Sequence, residues 1–212
     1  MFVDAWLPRA AARHPGRPAV NAMTYAELLE RASGRVPPAG ARVGIALPPG
    51  EEFAVALHAC LLGGALAVPL DLRLTEAEWP ATDVRWGEHE AGAVQERHDL
   101  DAPAILVHTS GTTSAPKPVH LTYGNWLWSA LGSAVALGLD QEERWLCTLP
   151  LSHVGGLSIL LRSAIYGTTA IVHERFDTER VLAELRRPDG PTIVSLVPTT
   201  LARLMDAGLR EP

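Results

Sequence analysis

Short apolar segments alternate with amphipathic ones along most of this 212-residue sequence, and that alternation limits the fold more than any other feature. The apolar runs predict strands over residues 42–47, 65–70, 104–108, 117–122, 144–149, 169–173 and 192–197, with helices in most of the intervals. Strands that alternate with helices form mostly parallel sheets covered by helices. We therefore expect an α/β fold of mostly parallel sheets flanked by helices.

Polar residues mark where several of the helices begin. Thr24 can cap a helix over residues 25–32, with Glu27 closing a capping box, and Glu51 and Glu52 place negative charge at the start of the next helix. Other helices are predicted over residues 2–13, 124–137, 154–166, 178–187 and 199–207, whereas residues 73–102 show no clear pattern. We divide the chain into an N-terminal α/β lobe, residues 1–103, and a second α/β lobe, residues 104–212.

Composition excludes several classes of protein. The chain has 18 Lys and Arg against 24 Asp and Glu, a net charge of −6 that argues against nucleic acid as a partner. Its 47% hydrophobic and 20% charged residues are typical of a globular protein. Cys60 and Cys147 are too far apart in sequence to indicate a zinc motif or a disulfide framework. We expect a cytoplasmic protein with neither an export signal nor a membrane span.

The loop after the strand at residues 104–108 is the strongest candidate for a binding site. Its residues are Thr109, Ser110, Gly111, Thr112, Thr113, Ser114, Ala115, Pro116 and Lys117. Small residues let backbone N–H groups approach a ligand, hydroxyl groups add donors, and Lys117 adds positive charge, which together suit a polyphosphate. Ligands also bind at this end of a strand in open α/β sheets. The same composition is typical of an ordinary turn, so the loop by itself leaves both interpretations open.

Three other kinds of site do not fit the sequence. Pro116 and Pro118 replace the Gly and the Ser or Thr of a Walker A loop. No Gly-x-Ser-x-Gly elbow surrounds Ser110, which excludes the common serine hydrolase motif. Gly155 and Gly156 are adjacent and so lack the spacing of a dinucleotide-binding loop.

His153 is the second candidate, in the segment Pro150-Leu151-Ser152-His153-Val154-Gly155-Gly156-Leu157. A strand ends at the proline and a helix follows, so the imidazole lies at a helix N-terminus, which attracts anions. A neutral imidazole there can orient a substrate carboxylate, and helix capping or packing is the alternative. Packing is the role expected for the other histidines and aromatic residues considered, which are His58, His108, His120, His173, Trp126 and Trp128.

Three segments carry a family resemblance. Residues 109–117 resemble the phosphate loop of the adenylate-forming superfamily, which contains acyl-CoA synthetases, luciferases and nonribosomal-peptide adenylation domains. Residues 65–71 resemble an earlier core motif of that superfamily, and residues 150–153 resemble its aromatic-pocket motif. More narrowly, residues 144–146, 149–153, 156–158, 162–167 and 197–201, with His173 and Phe176, are similar to the o-succinylbenzoate–CoA ligases of menaquinone synthesis. The resemblance covers nearly the whole chain.

The resemblance implies a two-step ligase. A carboxylate attacks the α-phosphate of MgATP to give an acyl-adenylate and pyrophosphate, and the thiol of CoA then displaces AMP. The implied substrates are ATP with Mg²⁺, CoA and a carboxylic acid, o-succinylbenzoate in the narrower family, and no metal ligand is expected in this chain. The implied phosphate-binding residues are Thr109, Ser110, Gly111, Thr112, Thr113, Ser114 and Lys117. Lys117 and His153 are the implied catalytic residues, and the acyl site is predicted to contain His153, Gly156, Ser158, Arg162 and Thr199, with Arg162 pairing with the second carboxylate.

The resemblance also implies that this chain is the N-terminal part of the large domain of such an enzyme. The adenine-contacting segment, the ribose-binding Asp and the C-terminal lid come later in the family's chains, so we expect this chain alone to be inactive. We expect its exposed sheet to cause either aggregation or dimerisation, so a homodimer is one of the predicted states. Ser114 and Pro118 stand where the family usually has Gly, which predicts a loop of different shape. The alternatives are another aryl or fatty acid–CoA ligase, and a non-catalytic binding module that a second chain completes.

Overall fold

The computed structural model describes residues 1–109 and 117–210. Its elements, in chain order, are β1 (Phe2–Asp4), α1 (Trp6–Arg13), β2 (Pro18–Val20), β3 (Met23–Thr24), α2 (Tyr25–Ser33), β4 (Arg42–Ile45), α3 (Glu51–Gly63), β5 (Leu66–Pro69), β6 (Val84–Arg85), β7 (Arg97–Asp99), β8 (Pro103–Thr109), β9 (Lys117–Thr122), α4 (Tyr123–Leu137), β10 (Arg144–Cys147), α5 (Val154–Tyr166), β11 (Thr169–Val172), α6 (Thr178–Leu185), β12 (Ile193–Ser195) and α7 (Pro198–Asp206). A single 3₁₀ turn covers Glu76–Glu78.

The strands form two five-stranded sheets and a short ribbon. The first sheet has the order β6-β4-β5-β8-β9 and is parallel except for β9, which runs antiparallel to β8. The second sheet has the order β12-β10-β11-β2-β3 and is parallel except for the pair β2–β3. Strands β1 and β7 pair with each other in an antiparallel ribbon. The expected α/β fold of mostly parallel sheets is confirmed.

Strand pairing crosses the predicted lobe boundary between residues 103 and 104. Strand β8 pairs with β5 in the first sheet, and β2, near the N-terminus, pairs with β11 through Val20 and Ala170. Each five-stranded sheet therefore contains strands from both sides of the boundary. The division into lobes 1–103 and 104–212 stays a prediction about domains, and the sheets themselves interleave along the chain.

Helix α3 is the centre of the core. Every residue from Phe53 to Gly63 is buried, and the helix packs on α2, β4 and β5. A helix that is apolar on all sides is stable only when protein surrounds it, as here. Its end requires two glycines. Gly64 has a φ of 66°, and a Cβ at Gly63 would lie 2.4 Å from the carbonyl oxygen of Pro37.

Local signals predicted the starts of α2, α3, α5 and α6 correctly, whereas the predicted helices over residues 2–13 and 178–187 are too long. The backbone N–H of Glu27 donates to Thr24 Oγ1 over 3.3 Å, and the Glu27 carboxylate accepts from Thr24 N over 2.8 Å, which confirms the capping box. The helix predicted over residues 2–13 is wrong at its start, because residues 2–4 pair with β7 and helix α1 begins at Trp6. In the described part of the chain, no helix combines the length and the apolar composition needed to cross a bilayer.

Two of the three buried histidines, His58 and His98, lie in the core. A packing role was expected for His58, whereas no role was predicted for His98. The ring of His98 stacks on Tyr123 with 4.3 Å between the ring centroids and meets Trp6 edge-on at 5.0 Å. The backbone N–H of Trp6 donates to His98 Nε2 over 3.4 Å. Burial lowers the pKa of His98 to about 3 and that of His58 to about 4. Both rings are therefore neutral in the folded protein at neutral pH.

We expect the free energy of unfolding to fall as the pH falls below about 6.5, the pKa of an unfolded histidine. The folded state keeps His58 and His98 neutral down to about 4 and 3, so the unfolded chain binds these protons first. Each histidine then removes roughly 1.4 kcal/mol per pH unit over its range, and its full contribution is present only above the unfolded pKa. Urea unfolding at several pH values measures the slope. His98→Phe should reduce it, exposed His120→Phe should not, and equal slopes in all three proteins would contradict the prediction.

Candidate functional site

A crevice of about 500 Å³ lies where the carboxyl ends of strands from both sheets meet. Its lining comes from the segments that follow β4, β5, β10, β11 and β12, together with one side chain of α3. These are residues 47–49, 70–73, 148–152, 174–176, Val197, Thr200 and Phe53. The carboxyl edge of an open parallel sheet is where ligands bind in α/β proteins. The crevice is therefore the candidate ligand site of this chain.

Asp71 and Arg73 form an ion pair in the wall of the crevice. Arg73 Nη2 lies 2.6 Å from one carboxylate oxygen and Arg73 Nε lies 2.9 Å from the other. This bidentate pair with the guanidinium lowers the pKa of Asp71 to about 2, mainly through the side-chain hydrogen bond. The sequence motif at residues 65–71 ends on Asp71, but sequence reasoning did not assign either residue to the site. Their position directly after a buried strand was the signal that could have found them.

His153 lies beside the crevice and contacts this ion pair. It is the residue before α5, as predicted, and its half-buried ring makes no capping hydrogen bond. Its Nε2 atom lies 3.3 Å from Arg73 Nη2. The side chain of His153 therefore does not cap α5. It makes a polar contact beside the crevice instead.

Only the two ends of the predicted phosphate loop belong to the described residues. Thr109 ends β8, Lys117 begins β9, and the two stand opposite each other across the antiparallel pair. Because Ala67 of β5 is opposite Ile105 of β8, the end of β8 reaches the level of the segment after β5 that lines the crevice. Lys117 is exposed. The other predicted phosphate-binding residues, which are Ser110, Gly111, Thr112, Thr113 and Ser114, lie outside the described residues.

Gly156 and Ser158 have local structural contacts on α5. A Cβ at Gly156 would lie 2.5 Å from the carbonyl oxygen of Pro150, so glycine allows the helix to approach the preceding turn. The buried Ser158 hydroxyl donates to the carbonyl oxygen of Gly155 over 2.9 Å. Neither residue lines the crevice. Their predicted place in the acyl site stays a prediction.

Arg162 lies farther along α5, half-buried against aromatic surface. Its guanidinium carbon is 5.4 Å from the centre of the Trp145 ring, and Nη2 lies 3.3 Å from the hydroxyl of Ser129. Burial lowers the pKa of Arg162, and its Nε atom is buried without a hydrogen-bond partner. Within residues 1–109 and 117–210, no acidic side chain forms an ion pair with it. A half-buried cation of this kind has the chemistry to bind a ligand carboxylate.

Thr199 is the last of the predicted site residues, and several residues that were not predicted line the crevice. Thr199 is exposed on α7, whereas its neighbour Thr200 lines the crevice. Thr148 lines it too, and its buried hydroxyl has no hydrogen-bond partner in the described structure. Glu174 and Arg175 add charge after β11. Across the described residues, no cluster of three or more His, Cys, Asp or Glu is arranged to hold a metal ion.

The comparisons with known proteins agree with this geometry. Residues 77–211 match the family model described as AMP-binding enzyme. The 2-succinylbenzoate–CoA ligase of Bacillus licheniformis is 35% identical over 94% of this chain and 50% of its own length, and that of Bacillus subtilis is 33% identical over 98% and 51%. The chain thus spans about half the length of these relatives.

Solved structures give the same result. The o-succinylbenzoate CoA synthetase of Bacillus subtilis in complex with the acyl-adenylate intermediate OSB-AMP matches with a TM-score of 0.90 and 31% identity, covering 100% of this chain and 66% of that one. Its complex with ATP and magnesium ion matches with a TM-score of 0.88 and 30% identity, covering 100% and 68%. These matches confirm the resemblance drawn from the sequence motifs. Because the family model spans most of the chain and the crevice lies at the expected sheet edge, this chain belongs to the AMP-binding enzyme family.

Proposed function

We propose that this chain is the N-terminal portion of an ATP-dependent acid–CoA ligase, and that its acid is o-succinylbenzoate. The observation that carries the proposal is the match, over nearly the whole chain, to ligases named for that substrate. In the proposed reaction a carboxylate oxygen attacks the α-phosphate of MgATP and pyrophosphate leaves. The thiol of CoA then attacks the acyl carbon, and AMP leaves as the thioester forms. We propose a cytoplasmic location, which the two free cysteines fit.

The loop between β8 and β9 is the proposed phosphate site. Both of its ends lie at the sheet edge that also forms the crevice, which supports binding of the β- and γ-phosphates by Thr109, Ser110, Gly111, Thr112, Thr113, Ser114 and Lys117. Donors and a cation at this place stabilise the charge that develops on the leaving pyrophosphate. Mg²⁺ enters with ATP and supplies further neutralisation of the phosphate oxygens. The chain contains 18 Lys and Arg, and Lys117 is the only lysine among them.

The second carboxylate of o-succinylbenzoate is the reason to assign Arg162 to the acid site. That carboxylate stays charged after the first is activated, and a buried anion needs a cationic partner. Arg162 is half-buried and has no acidic partner among the described residues. Gly156, Ser158 and Thr199 are proposed to shape the same region, and His153 to contact the reacting carboxyl group. A fatty acid or a simple benzoate offers nothing to Arg162, so this residue favours a dicarboxylate.

The proposed substrate is tested by acid-dependent exchange of pyrophosphate into ATP in the whole protein. We expect o-succinylbenzoate to support exchange, with benzoate and a medium-chain fatty acid as comparison acids. If only the fatty acid supported exchange, the proposal that o-succinylbenzoate is the substrate would be wrong, and the proposal that the protein adenylates a carboxylate would stand. A folded protein that exchanges with none of the acids but binds one of them would favour a non-catalytic binding module.

Lys117→Ala should lower the exchange rate by about 10²-fold or more, because a cation at the leaving phosphates is lost. Because Lys117 is the only lysine in residues 1–212, mass spectrometry of the peptide that contains it also measures its modification by an amine-selective reagent, with the N-terminal amine of Met1 as an internal reference. MgATP should slow modification of Lys117 and leave that of Met1 unchanged. Equal modification with and without MgATP, together with an unchanged exchange rate in the variant, would contradict the assignment.

Arg162→Ala should raise the KM for o-succinylbenzoate by roughly 10- to 100-fold, the worth of a charge-assisted hydrogen bond. Benzoate lacks the second carboxylate, so its KM should change little in the same variant. Comparing the two acids separates a lost ion pair from a general loss of packing on Trp145. Arg187→Ala, which removes an exposed arginine paired with Asp189, is the matched control. An unchanged KM for o-succinylbenzoate would remove Arg162 from the site.

A further inference from the structure

The side chains of Asp71, Arg73 and His153 form a chain of hydrogen bonds at the crevice. Two nitrogen atoms of Arg73 contact the two carboxylate oxygens of Asp71, at 2.9 and 2.6 Å. The same Nη2 atom lies 3.3 Å from His153 Nε2, across 80 residues of sequence. The proposed function uses His153 alone and gives no role to the other two residues.

The chemistry of arginine fixes the direction of the second hydrogen bond. A guanidinium has N–H donors and no acceptor, so Nε2 of His153 can bond to it only through a lone pair. A ring nitrogen that accepts carries no proton. A hydrogen bond between Arg73 and His153 therefore requires an imidazole whose single proton is on Nδ1.

Asp71 holds Arg73 in place for this contact. The bidentate pair fixes the plane of the guanidinium, and the backbone N–H of Arg73 donates to the same carboxylate over 3.0 Å. The backbone of Asp71 is fixed in turn, because its carbonyl oxygen accepts from Trp79 Nε1 over 2.9 Å and from Leu74 N over 3.0 Å. Side-chain exposure is 20% for Asp71 and 69% for Arg73. The carboxylate is thus the sheltered end of the pair, and the guanidinium reaches outward to His153.

We propose that Asp71 and Arg73 are positioning residues that hold His153 in its Nδ1–H tautomer, with Nε2 facing the guanidinium. The Nδ1–H group is then the ring donor left for a ligand, because Nδ1 has no hydrogen-bond partner in the described structure. His153 in this state donates to a carboxylate or acyl oxygen and does not take a proton from the CoA thiol. The role of the Nδ1–H group in catalysis rests on the proposed function, whereas the assignment of the tautomer does not.

The test is heteronuclear NMR of the imidazole nitrogens in the full chain at mildly alkaline pH, without ATP, acid or CoA. His153→Gln assigns the signals of His153 by their loss. In the unmodified chain we expect a protonated Nδ1 and an unprotonated Nε2. Arg73→Met should shift the ring toward the Nε2–H tautomer, which neutral histidine favours in water. Asp71→Asn should shift it in the same direction by a smaller amount, because Arg73 remains but is no longer held by an anion.

Arg187→Met is the matched control, since Arg187 forms the same kind of bidentate pair with Asp189 two residues away and, among the described residues, has no hydrogen bond to a histidine. It should leave the His153 signals unchanged. Exposed ion pairs contribute little to stability, so all variants should remain folded, as circular dichroism can verify. A protonated Nε2 in the unmodified chain, or a His153 spectrum that Arg73→Met leaves unchanged, would overturn the proposal. Either result is obtained without any ligase assay, so it is independent of whether the acid–CoA ligase proposal holds.

Discussion

Parallel pairing within the two sheets is the constraint on which the site depends. Because β4, β5 and β8 run in one direction, and β10, β11 and β12 do so in the other sheet, every segment that follows them leaves its sheet at the carboxyl edge. Five of these segments line the crevice, and the sixth begins the loop that is proposed to bind phosphate. The antiparallel strand β9 then brings Lys117 back to the same edge. Residues far apart in sequence thus reach one place through hydrogen bonding of the backbone alone.

The parts of the fold with local signals could be predicted from the sequence. Helix α5 and strand β9 have the predicted bounds, since proline or glycine ends the segment before or after them and their apolar periodicity is clear. Strands β1 and β2 could not be predicted, because each has only three residues and its partner lies far away in the chain. Val3 pairs with His98, and Val20 pairs with Ala170. Such short strands exist only through tertiary contacts, which no local pattern encodes.

In the site, too, residues with a local sequence signal could be predicted, and residues whose contacts are distant in sequence could not. His153 was predicted because it stands at a recognisable strand-to-helix junction, whereas the role proposed for Arg73 depends on a contact with His153 that sequence spacing does not reveal. The prediction in α7 named Thr199, while the crevice is lined by Thr200. Successive residues on a helix point about 100° apart, so naming the right motif does not name the right face. Gly156 and Ser158 have packing and hydrogen-bond contacts of their own on α5, and their place in the acyl site stays a proposal.

The pairing of Val20 with Ala170 also determines the order in which the chain can fold. During synthesis β2 and its antiparallel neighbour β3 emerge early, but the parallel neighbour of β2, strand β11, does not exist until residue 170 has left the ribosome. Until then the apolar residues Ala19 and Val20, buried in the finished protein, have only the two-residue strand β3 beside them. The first sheet, built from residues 42–122, can form sooner. Closure of the second sheet is therefore a late, long-range step. Steps of this kind slow folding, and they leave apolar strands exposed to aggregation until the sheet forms.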